Sequence, residues 1–120
     1  MKFALCNEIF RSLPLEEAFQ KIADIGYEGV EVAPFTLQTN PRDLSESDAD
    51  RCRTAAEKVG LEVVGLHWLM AETEGLHLTH NDPAILEATK EYLIKLGKLT
   101  ARMNGSILVL GSPQQRNLLP

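Results

Sequence analysis

The stretch Gly26-Tyr27-Glu28-Gly29-Val30-Glu31-Val32-Ala33 holds a helix stop, a turn and a strand in immediate succession. Upstream of it, Leu15, Ala18, Phe19, Ile22 and Ala23 recur at helical spacing, and Pro14 stands where that helix is expected to begin. Glu16 and Glu17 complement the positive end of its dipole. Gly26 closes the helix in the left-handed conformation that glycine adopts cheaply. Tyr27-Glu28-Gly29 is then only a short connection before Val30-Glu31-Val32-Ala33 enters a sheet.

The same unit recurs in both directions. Strands are expected at residues 3–6, 29–33, 62–66 and 106–110, with three amphipathic helices between them. The second helix opens at Ser45, with Asp48 three residues later in a capping-box arrangement, and lines Ala49, Cys52, Ala56 and Val59 along one face before Gly60. The third opens at Asn81-Asp82-Pro83, carries Ile85, Leu86, Tyr92, Leu93, Leu96, Leu99 and Met103, and ends at Asn104-Gly105. Strands alternating with helices of this length indicate βαβ units and a parallel sheet, an α/β fold of βαβαβαβ order. Parallel sheets are stable mainly with both faces covered and their edges dealt with. A chain reaching Pro120 just after its fourth strand is therefore expected to belong to something larger.

Composition narrows the function classes. A hydrophobic fraction of 44% with 24% charged residues is that of an ordinary soluble domain. The net charge of −5 and the lack of a basic stripe exclude a generic nucleic-acid-coating role, though not local binding of a phosphorylated small molecule. No apolar run approaches the ~20 residues that cross a bilayer. Glu8 comes too early for a secretory signal, so the cytosol is the expected compartment. Cys6 and Cys52 lack metal-ligand spacing and are expected to be reduced thiols, buried or half-buried.

In parallel α/β folds ligands bind at the carboxyl ends of the strands. Residues 7–10, 34–41, 67–81 and 111–117 occupy that end, whereas the opposite connections, 26–29, 60–61 and 104–105, are short and glycine-punctuated. Glu31 interrupts an apolar strand and reads either as a hydrogen-bonded structural carboxylate or as a substrate contact. His67 sits where the third strand ends, and Trp68 beside it either stacks on a ligand or packs under the loop. Glu8 either projects into the mouth or is a solvated loop acid. His77 and His80 are spaced like metal ligands, but the spacing is useful only on a helix, so loop structure or cap hydrogen bonding is the expected role. Residues 111–116 offer glycine and serine amides plus Arg116 for an anion, without matching a Walker loop or a dinucleotide fingerprint.

Five stretches, in order along essentially the whole chain, carry a resemblance: Leu5-Cys6-Asn7-Glu8, residues 26–34, Gly65-Leu66-His67-Trp68, Gly75-Leu76-His77-Leu78-Thr79 and residues 110–116. Together they resemble sugar phosphate isomerase/epimerases of the xylose-isomerase-like TIM-barrel superfamily, and they map onto the amino-terminal half of such a barrel. The resemblance implies that residues 1–120 are one partial domain, about four βα units forming the first half of a TIM (β/α)8 barrel with the carboxyl half absent. It implies a sugar or sugar-phosphate isomerase or epimerase. In the complete barrel, Mn2+ or Mg2+ would assist proton transfer beside a carbonyl while two glutamates move the proton. The metal-binding and acid/base groups of the family come from later strands. This chain alone is therefore expected to hold no metal and no catalytic residue, and to be inactive. Glu8, Glu31, His67 and Arg116 match the family's first-half pattern at the mouth and are the expected substrate-binding residues. The alternative is a non-catalytic half-barrel module, since a half barrel exposes two sheet edges and an apolar face; a homo-oligomer or the missing carboxyl half would then be its partner. Apurinic endonuclease-type DNA repair shares the fold but uses many histidines for zinc, and three are present here. A sugar is the expected partner, with neither nucleic acid nor membrane.

Overall fold

Four parallel strands in the order β1-β2-β3-β4 organise the computed structural model, which describes residues 1–118. They are β1 Ala4–Cys6, β2 Gly29–Val32, β3 Glu62–His67 and β4 Ile107–Val109, and between them run α1 Leu15–Ile25, α2 Glu46–Lys58 and α3 Pro83–Arg102. Because spatial order equals chain order, there is no reversal of winding such as a doubly wound sheet requires. Helix α1 packs against α2 and α2 against α3, so all three helices lie side by side over one face of the sheet. This is the winding of a (β/α)8 barrel, in half of its strands.

Local chemistry fixes the helix ends. Ser45 caps α2 in a full capping box with Asp48, and the Asp82 side chain accepts the Ala84 N–H at the start of α3, with Pro83 in its first turn. Gly26 closes α1 at φ 103. Pro14 is the residue before α1 rather than its first helical residue. Asn104, at φ 64, takes the left-handed position after α3.

The core lies between the helices and one face of the sheet. Phe19 and Ile22 of α1, Val30 and Val32 of β2, Cys52 of α2, and Leu96 of α3 are all fully enclosed there. On α2 that face is Ala49, Cys52, Ala55 and Ala56, small side chains that let the helix approach closely. Burial raises the Cys52 thiol to about 12, so it stays protonated and unreactive. Cys6 is half-buried, and both cysteines are free, in keeping with the sequence reading. Helix α3 departs from its expected stripe: Leu86 is exposed, while Thr89 and Thr100 are buried, their hydroxyls donating to the carbonyls of Ile85 and Leu96 one turn earlier.

Strand β3 carries the feature that positions the site. Val30 pairs with Val63, but Glu31 pairs with Gly65 and Val32 with Leu66, so Val64 is an extra residue in β3. A bulge of this kind inverts the two-residue alternation beyond it. Val63 and Leu66 consequently both enter the core, and His67 turns to the face that carries Glu31. Gly65 is required at the same point, because a Cβ there would overlap the carbonyl group of Ile107 in β4.

Two glycines should answer oppositely to alanine. Gly65→Ala forces β3 and β4 apart and should lower stability by roughly 1–3 kcal/mol. Gly97, inside α3 with no atom near its missing Cβ, should give roughly 0.5–1 kcal/mol of extra stability as Gly97→Ala. Urea midpoints of the two variants check both signs.

Candidate functional site

The helix-free face of the sheet gathers three reactive groups near the carboxyl ends of adjacent strands. Cys6 of β1 is in register with Glu31 of β2, and the bulge brings His67 of β3 onto the same face. His67 Nδ1 lies 3.5 Å from Glu31 Oε2, with side chains 25% and 30% exposed. That separation is longer than the ~2.7–2.9 Å of a charged hydrogen bond. Nδ1 is in fact buried without a hydrogen-bond partner. A buried polar atom left unpaired beside a carboxylate calls for a third group to complete the set.

Glu8 joins this cluster through Cys6. Burial raises the Cys6 thiol foremost; a hydrogen bond from the Glu8 backbone opposes the rise, and the Glu8 and Glu31 carboxylates add to it. Glu8 itself is half-buried in the 3-10 turn Asn7–Phe10 that follows β1. Of the expected substrate-binding residues, Glu31 thus faces both His67 and the Cys6 thiol, and Glu8 adjoins that thiol.

Arg116 stands apart. It follows the 3-10 turn Pro113–Gln115, is exposed, and has no side-chain partner among the described residues. In the same loop the Ser112 hydroxyl is committed within the protein. The Ser112 hydroxyl is buried, accepts the Met70 N–H at 3.1 Å and donates to the Leu110 carbonyl at 2.7 Å.

His77 and His80 are structural. His77 Nδ1 accepts the Thr79 N–H, so its Nε2 carries the proton and donates to Asn117 Oδ1 at 2.9 Å. Thr79 adds a hydroxyl bond to the Asn117 carbonyl, and the Leu78 N–H bonds the Gln115 carbonyl. These contacts join the loops after β3 and β4. His80 Nδ1 accepts the Asp82 N–H beside the start of α3, the cap role that the sequence suggested.

Two residues that sequence reasoning passed over hold the mouth together. Asn7 is buried; its Oδ1 accepts the Ala33 N–H at 3.0 Å and its Nδ2 donates to Thr36 Oγ1 at 2.8 Å, tying the end of β1 to the end of β2. An asparagine directly after a strand was the available signal. Arg11 lies 4.9 Å above the Phe35 ring and pairs with Glu72 at 2.8 Å, so it spans the loops after β1, β2 and β3. Its partners are far away in sequence, and no spacing rule would have found them. Trp68 completes this layer, stacked on His67 at 6.0 Å and tilted against Phe35 at 6.2 Å.

Asn7→Ala should therefore lower stability by about 1–3 kcal/mol, because the Ala33 N–H is left buried without an acceptor. Urea denaturation reads the loss, and far-UV circular dichroism should show the fold retained.

The family described as "Xylose isomerase-like TIM barrel" matches residues 19–118. Among solved structures, D-psicose 3-epimerase in the presence of D-fructose superposes with a TM-score of 0.64 at 18% identity, over 87% of this chain. At that identity the likeness is one of fold. The present chain covers 35% of that protein's length. No curated protein matches the sequence. With its strand order, one-sided helices and strand-end cluster, the chain belongs to the xylose isomerase-like TIM-barrel family.

Proposed function

We propose that this chain forms part of the substrate-binding wall of a sugar isomerase or epimerase, with Glu31 and His67 holding oxygens of the bound sugar. The carrying observation is the pair itself: a carboxylate and an imidazole at the carboxyl ends of neighbouring strands, 3.5 Å apart, with the imidazole Nδ1 unpartnered. A sugar hydroxyl between them would donate to the carboxylate and bond the free ring nitrogen. Glu8 would bound the same space from the turn after β1. Arg116, exposed on the last loop, would reach the substrate from the rim. The structural neighbour is an epimerase whose crystal structure was obtained in the presence of a ketose, which supports a sugar as ligand. No helix among the described residues is long and apolar enough to cross a membrane.

A divalent ion, Mn2+ or Mg2+, belongs to this reading for a complete barrel. The donor set here does not fit one: among the described residues no three of His, Cys, Asp and Glu are grouped to hold a metal. Glu31 and His67 are accordingly assigned to substrate oxygens, and proton transfer beside the carbonyl is assigned to groups other than these.

The reading is tested by ligand-observed NMR with D-fructose and by an isomerisation assay with Mn2+ or Mg2+. Binding without turnover is expected for this chain, turnover being expected only from a polypeptide that also carries further barrel strands. Glu31→Gln should weaken binding about tenfold or more, as for a lost hydrogen bond to a charged group. Failure of the chain to bind any aldose or ketose sinks the reading.

A second reading has its own observation. Ile107 and Leu108 of the edge strand β4 are 46% and 43% exposed, and Phe3 beside β1 is 61% exposed. Apolar side chains along open strand edges favour pairing with another copy or another half barrel, which would make the chain a self-associating module. Light scattering at rising concentration should then show dimers or larger species; a monomer throughout contradicts it. The DNA-repair alternative lacks comparable support, since His77 and His80 are spent on loop hydrogen bonds.

A further inference from the structure

The stack of Trp68 on His67 is not what a strand provides. Successive side chains of a strand point to opposite faces, which would hold these two neighbours apart. Trp68 leaves that alternation at φ 56, a left-handed value uncommon for a residue with a side chain. Its indole lies 6.0 Å from the His67 ring at an interplanar angle of 20°. Four residues later Glu72 is left-handed as well, at φ 58. Each such residue is costly and persists only where its surroundings hold it.

The middle of this turn is fixed from inside. Met70 is fully buried and its N–H bonds the Ser112 hydroxyl at 3.1 Å, while the Tyr92 hydroxyl donates to the Leu69 carbonyl at 2.7 Å. Its two ends are held from outside by Arg11. The guanidinium pairs with Glu72 at 2.8 Å and lies 4.9 Å over the Phe35 ring, which is tilted against the indole at 6.2 Å. Gly111 leaves room for the indole, since a Cβ there would approach its ring to 2.7 Å. Resting on the sugar-binding reading above, we propose that Arg11 is a positioning residue for His67. Acting through Phe35 and Glu72, it keeps the indole stacked on the imidazole and so sets the direction in which Nδ1 is presented beside Glu31.

Two observations give the role to Arg11. His67 Nδ1 has no hydrogen-bond partner among the described residues, so stacking sets the plane of the ring where a bond at that nitrogen does not. The Arg11 and Glu72 side chains are 57% and 45% exposed, and ion pairs so exposed add little to stability. A contact that joins the loops after β1, β2 and β3 without holding the fold has its consequence in where those loops place their side chains. The chemistry of the cation suits this. A guanidinium is planar, so it covers the Phe35 ring with its face while its edge meets the Glu72 carboxylate; an ammonium is a point charge and cannot match both.

Proton NMR of the full chain reads the stack directly, because an imidazole lying on an indole is shielded by its ring current. His67→Gln identifies the His67 signals among those of the three histidines. Trp68→Ala should return the His67 ring protons to unstacked positions. Arg11→Gln should carry them most of the way there, Glu72→Gln in the same direction, and Arg11→Lys less far, with urea midpoints and circular dichroism near those of the unaltered chain. Calorimetry should show Arg11→Gln weakening D-fructose binding about fivefold, as for a binding group no longer preorganised. His67 signals that stay in place in Arg11→Gln overturn the proposal, whether or not D-fructose binds. A large fall in the Arg11→Gln urea midpoint also overturns it, since Arg11 would then hold the fold. So do displaced signals with unchanged D-fructose affinity. Displaced signals in a chain that binds no sugar at all support the positioning of the ring and remove the sugar-binding reading alone.

Discussion

The pairing of β2 with β3 is the constraint on which the rest of this structure depends. Side chains alternate along a strand with period two, so a single extra residue exchanges the faces of everything beyond it. Val64 is that residue. With it, Val63 and Leu66 both reach the helix-covered core, and His67 faces Glu31. Without it, His67 would be directed under the helices and Leu66 would occupy the open face. Beyond the strand end Trp68 stacks on His67, and Gly111 lets the last loop lie against Trp68.

Much of the fold was legible because it is written in local chemistry. Caps at Ser45 and Asp82, glycines after the helices and apolar runs of strand length each act within a few residues, and the elements fall within a residue or two of their expected bounds. The phase of β3 was not legible. Val63-Val64-Gly65-Leu66 is apolar throughout, so no alternation exists to reveal where it breaks, and the bulge emerges only from pairing with β2. Leu86 marks the converse failure: it has the right period for the buried stripe of α3, yet the stripe turns toward Thr89 near the loop that His77 anchors.

The site shows the same division. Glu31 and His67 stood out as polar groups near the end of apolar strands, and the structure brings their side chains to 3.5 Å of each other. Glu8 was identifiable by its place after β1. Arg116 had sequence position in its favour, but position along a loop does not fix where a long side chain lies, and the structure leaves it at the rim. Asn7 and Arg11 act wholly through partners in other loops. Their roles are tertiary, and a single sequence carries no trace of them beyond residue type.

Charge is distributed by a similar logic. Across the helices, Arg51 pairs with Glu16 of α1, and Arg102 of α3 makes a two-pronged contact with Asp50 of α2. Both pairs are well exposed, so they add little to stability while helping to fix helix register. Hydrogen bonding to Arg102 holds the Asp50 carboxyl below its usual range, and hydrogen bonding to Arg51 does the same for Glu16. On the opposite face Glu31 and Glu8 show no such pairing among the described residues: Glu31 lies 3.5 Å from an imidazole, and Glu8 lies beside a thiol. A polar pair sunk into a sheet face is costly unless something completes its hydrogen bonds. In a closed barrel that face becomes the interior, where solvent could no longer complete them. The open valence at His67 Nδ1 then has to be met by a neighbouring side chain or by a ligand, and its position at the strand ends, beside an exposed indole, favours the ligand.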